Sequence, residues 1–101
     1  MVVGVNQGFN FREGGREVGD LIVTAIDPTL GRISLEFENA VTFREISLQR
    51  GESFRLDDAE TITVQLRDIR PGIKLWEPEI GADLFFYTNP RTYRWRICEY
   101  E

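Results

Sequence analysis

The residues of this chain best suited to chemistry lie near its C-terminus, in the stretch Asn-Pro-Arg-Thr-Tyr-Arg-Trp-Arg-Ile at positions 89–97. In an extended strand successive side chains point to opposite faces. Arg94 and Arg96 therefore share one face, and Tyr93, Trp95 and Ile97 the other. With Arg91 at the preceding turn, they form a small basic ridge backed by aromatic rings. Guanidinium forks hold oxyanions by paired hydrogen bonds, and aromatic faces stack on bases. Arg91, Tyr93, Arg94, Trp95 and Arg96 are thus candidate ligand residues for phosphate, a nucleotide or single-stranded RNA. The competing expectation is a solvated strand face whose arginines pair with glutamates on the next strand.

Other chemistries find little material. The sequence has no histidine, which removes the commonest general acid–base and every Ser-His or Cys-His pair. One cysteine, Cys98, cannot form an intramolecular disulfide, and without histidine it cannot complete a zinc site. It reads as a small packing residue near the end of a strand. Lys74 stands between Ile73 and Leu75 and is expected to face solvent. Carboxylates are abundant, but a two-carboxylate hydrolase needs a walled cleft. Asp57-Asp58-Ala59-Glu60 lacks the spaced oxygen ligands and the glycine of a calcium loop and reads as a solvated turn. We expect no catalytic residues, no cofactor and no metal.

The elements that must position these residues are strands. Apolar and polar residues alternate with period two in Arg32–Phe37 and Thr61–Ile69, and β-branched residues dominate Leu21–Ile26. Further strands are expected at Val41–Leu48, Ser53–Leu56, Ile73–Trp76, Ala82–Thr88 and Thr92–Cys98, separated by turn residues such as Asp27-Pro28, Arg70-Pro71-Gly72 and Asn89-Pro90. Within Val41–Leu48 the apolar phase changes, which predicts a bulge at Arg44–Glu45. No window shows helical periodicity. The expected fold is all-β, a small antiparallel sandwich or barrel of seven to eight short strands with little or no helix. Residues 1–101 make one domain, with residues 1–20 a partly flexible edge strand and a charged loop at Arg12–Glu17.

The net charge of −5 argues against broad binding to duplex DNA. No run approaches the roughly 20 apolar residues of a membrane-crossing helix, and the start carries no basic leader. A cytoplasmic protein is expected.

Seven of the twelve aromatic residues fall at or after Trp76. In Leu84-Phe85-Phe86-Tyr87, Leu84 and Phe86 face one way and Phe85 and Tyr87 the other, so the strand is apolar on both sides. A two-sheet domain offers one interior, and the second face must meet a partner, a neighbouring subunit or a covering loop. Trp76, Phe85, Phe86 and Tyr87 are the expected interface residues.

Residues 46–79 also carry Gly51-Glu52-Ser53, then Asp57-Asp58, Ile62-Thr63-Val64, Ile73 and Leu75, in that order. This stretch resembles the bacterial carbon storage regulator family. The resemblance implies a five-stranded, interlaced dimer that binds GGA-containing RNA leaders. The sequence departs from that pattern in having Arg50 directly before Gly51, about 45 residues ahead of the match, and no C-terminal helix. Two functions are therefore expected. The leading one is a non-catalytic interaction module, a homo-oligomer subunit or an adaptor in a larger assembly, as would suit a small viral or mobile-element protein. The alternative is a binding protein for a small anionic ligand or RNA that uses the C-terminal ridge.

Overall fold

Alternating side chains give each strand one apolar face, and two such sheets bury those faces against one another. A computed structural model of the chain describes residues 2–56, 62–71, 79–88 and 93–99. The described strands are β1 (Val2–Val3), β2 (Gln7–Glu13), β3 (Arg16–Asp27), β4 (Arg32–Glu38), β5 (Phe43–Gln49), β6 (Ser53–Arg55), β7 (Ile62–Arg70), β8 (Gly81–Thr88) and β9 (Tyr93–Glu99). One sheet has the order β5-β4-β3-β2-β9 and the other β1-β8-β7-β6. Every pairing is antiparallel. The molecule is an all-β sandwich, with no helix among the described residues.

The core lies between the sheets. Phe9 and Phe11 of β2, Leu21 and Val23 of β3, and Ile33, Leu35 and Phe37 of β4 point into it from the larger sheet. Ile62, Val64 and Leu66 of β7, with Ala82 and Leu84 of β8, meet them from the smaller one. Full burial of each large side chain contributes about 2–3 kcal/mol through removal of apolar surface from water. The chain crosses between sheets at Gly4–Asn6. There Asn6 N–H donates to the Val23 carbonyl (2.8 Å), and Gly4 N–H donates to Gln7 Oε1 (2.8 Å). Asn6 has φ +65°, a left-handed conformation that asparagine tolerates better than most residues.

The structure corrects the sequence reading in three places. There are nine described strands rather than seven or eight. The extra one is β2, and β3 begins at Arg16, well before Leu21. The charged segment around Arg12–Glu17 is consequently not a loose loop. It is a two-residue hairpin turn, with Gly14 at φ +57° and Gly15 at φ +81°, the backbone sense that matches the twist of the flanking strands. Finally, β4 and β5 pair without interruption from Glu38↔Phe43 to Arg32↔Gln49, so no bulge exists at Arg44–Glu45. Val41 precedes β5 and Phe43 lies on its outer face, 55% exposed, while Ile46 and Leu48 point inward. The phase change records exposed apolar residues. Register shifts occur elsewhere, at Phe11/Arg12, Val23/Ala25 and Leu66/Asp68. The expected strand Ile73–Trp76 lies outside the described residues.

Candidate functional site

Strand β8 divides its aromatic residues between the two sides of the smaller sheet. Leu84 is buried, and Phe86 packs inward with edge-to-face contacts to Phe9 (4.6 Å between ring centroids) and Phe11 (5.2 Å) on the opposing sheet. Phe86 thus belongs to the seam between sheets and not to the outer surface. Phe85 and Tyr87 point out of the sandwich, 39% and 52% exposed. Their rings meet edge-on at 4.7 Å and 63°. The Arg67 guanidinium sits 4.9 Å from the Phe85 ring centre, and Tyr87 Oη donates to Gln65 Oε1 at 3.2 Å. These contacts follow from the register, which sets Gln65 opposite Phe85 and Thr63 opposite Tyr87. The result is an ordered aromatic pair on a sheet face, flanked by a cation and an amide. Trp76 lies outside the described residues.

At one end of this face Arg70 and Asp83 form an ion pair at 3.3 Å, with 17% of the Asp83 side chain exposed. Burial acts to raise the Asp83 pKa. Positive charge and hydrogen bonding, Arg70 contributing both, outweigh it and hold this carboxyl below its ordinary value.

The C-terminal ridge is assembled differently from the sequence expectation. Arg91 lies outside the described residues. Tyr93, Arg94 and Trp95 fall within β9, whose neighbour is β2. The register sets Arg94 opposite Arg12, Trp95 opposite Phe11, Arg96 opposite Asn10 and Ile97 opposite Phe9. The strand beside Arg94 and Arg96 therefore sets Arg12 and Asn10 opposite them, and the side chains of Tyr93, Arg94 and Trp95 lie outside the described residues. Arg96 is exposed, and Ile97 is 45% exposed.

Asn10 was missed in the sequence because β2 was missed. It is the one buried polar side chain among the described residues, at 4% exposure. Its Nδ2 donates to Glu17 Oε1 (2.7 Å) and to Asp20 Oδ1 (2.9 Å) on β3, while its Oδ1 accepts from Arg12 Nε (3.1 Å). The two carboxylates fix which way the amide faces, because only the nitrogen end can satisfy them. The available signal was Gly-Phe-Asn-Phe followed by Gly14-Gly15, an alternating run ahead of a two-glycine turn. A groove beside this network is lined by Arg16, Glu17, Gly19, Asp20 and Glu38. No group of three or more metal-ligating side chains occurs among the described residues.

Comparison with known proteins leaves these two faces to be interpreted on their own terms. No family model, no curated protein and no solved structure matches the chain.

Proposed function

We propose that the protein is a non-catalytic interaction module, a homo-oligomer subunit or an adaptor in a larger assembly, which meets its partner through the outer face of the smaller sheet. The observation that carries this reading is the Phe85–Tyr87 pair. Two adjacent rings held by Arg67 and Gln65 stand on a strand whose other face already serves the core. Water gains little from such a surface, and covering it removes apolar area at low entropic cost because the rings are already ordered. Tyrosine, phenylalanine and arginine are also the residue types enriched at protein contacts. The absence of histidine from the sequence favours binding over acid–base catalysis. A lone cysteine, with no disulfide partner in the chain, suits a reducing cytoplasmic setting.

Sedimentation velocity over a wide concentration range tests the reading, using the wild type beside the doubly substituted Phe85→Glu, Tyr87→Glu protein. Both positions face outward, so the variant should keep the wild-type far-ultraviolet spectrum while sedimenting as a monomer where the wild type is oligomeric. A variant that assembles as well as the wild type removes this face from the interface.

A further inference from the structure

The Asn10 network has a consequence on the far side of the sandwich from the aromatic pair. Arg12 commits its Nε to Asn10 Oδ1, a bond that does not use its two terminal amino groups. Both arginines are exposed. Because Arg96 is opposite Asn10, Arg12 and Arg96 are diagonal neighbours on adjacent strands, a separation of roughly 7–8 Å between backbone positions. Two side chains as long as arginine close easily on one tetrahedral oxyanion across that distance.

The geometry points to an oxyanion site on the outer face of the β2–β9 pair, in which Arg12 and Arg96 hold a single phosphoryl group and Asn10 positions Arg12. The carboxylates Glu17 and Asp20 lie on β3, on the opposite side of β2 from Arg96; Glu17 stands opposite Arg12, and both accept from Asn10. They turn the amide oxygen toward Arg12, and that oxygen in turn fixes the plane of the guanidinium. A rotamer-rich side chain is thereby ordered before the ligand arrives, which lowers the entropic cost of capture. The ligand is small. With a net charge of −5 and carboxylates close by, the surface discourages a polyanion while a local guanidinium pair still accepts one dianionic group. This site is independent of the Phe85–Tyr87 face, so either can fail alone.

The test is a titration followed by amide and arginine Nε–H nuclear magnetic resonance, with inorganic phosphate as one probe and adenosine 5′-monophosphate as the other. Saturable shifts at Arg12 and Arg96 with phosphate are expected. Equal affinity for both probes assigns the site to the phosphoryl group alone, and tighter binding of the nucleotide assigns it to a phosphate monoester. Arg12→Ala and Arg96→Ala should each weaken binding by about tenfold, and Arg12→Lys should not restore it, because an ammonium lacks the planar fork. Asn10→Ala should weaken binding by several-fold while the arginines remain, as expected of a positioning residue, and its dispersed spectrum would show that the sheet persists. Linear, unsaturable shifts, or shifts that survive in both alanine variants, overturn the proposal. So does a single-stranded oligoribonucleotide that binds steeply with falling salt while phosphate does not, since that outcome assigns the face to a polymer.

Discussion

The two outward faces of this sandwich present the same kind of surface, the wet side of an antiparallel sheet, and the sequence fills them in opposite ways. The smaller sheet shows rings, with Phe85 and Tyr87 in contact and Arg67 stacked beside them. The larger sheet shows charge and amide groups, with Asn10 bonded to Glu17, Asp20 and Arg12, and Glu36 standing opposite Glu45 further along. The first surface is poorly satisfied by water and invites a dry partner. The second is well satisfied by its own network and by solvent, and can recognise a ligand only through directed donors. The core is complete without either face, so the two proposed modes of recognition can be tested apart.

The sharpest way to break the comparison is at adjacent residues of β8. Phe86→Ala removes the ring that touches Phe9 and Phe11 and should cost about 3 kcal/mol of stability in urea unfolding. Phe85→Ala, one residue earlier and outward, should cost less than about 1 kcal/mol and act chiefly on association. Equal losses would show that the two sides of β8 are not functionally separate.

A smaller effect is expected at Gly8, on the charged side. A Cβ there would sit 1.9 Å from the Leu21 carbonyl oxygen and 2.9 Å from the Ile22 Cα, both backbone atoms of β3. Gly8→Ala should force β2 and β3 apart and destabilise by about 2 kcal/mol. Amide exchange should quicken in β2 and β3 well before β7 and β8. Uniform quickening would mean that the sheets open as one unit.

The smallest effect concerns Asp83, whose folded-state pKa is lowered. Such a carboxylate stabilises the fold above its unfolded pKa of about 3.9, and this contribution disappears as pH falls through the folded value. The gap in urea midpoint between wild type and Asp83→Asn should be constant near neutrality and shrink below about pH 4. A gap that persists at lower pH would remove the ion pair with Arg70 from the acid response.

Much of the fold was legible in the sequence. The alternation in Arg32–Phe37 and the inward run Ile62, Val64, Leu66 marked the buried faces directly, and both are buried as read. Leu84 and Phe86 separated correctly from Phe85 and Tyr87 for the same reason. Strand β2 escaped because Gly8 and the charged turn after Phe11 resemble a loop, and Phe9 and Phe11 alone make a short pattern. Phe43 misled for a related reason: an apolar residue on an exposed face cannot be told from a core residue by type.

By itself, the order of residues determined which atoms turn inward, because a strand has period two and the apolar set chooses its own side of the sheet. It also determined where the chain reverses, through glycine, proline, asparagine and aspartate. Only the tertiary structure decided that β9 closes beside β2, bringing Arg96 to Asn10 and Arg94 to Arg12 across most of the chain's length. Pairing between distant segments depends on the competition of all strands for edges, a property of the assembled sheet that no local pattern contains.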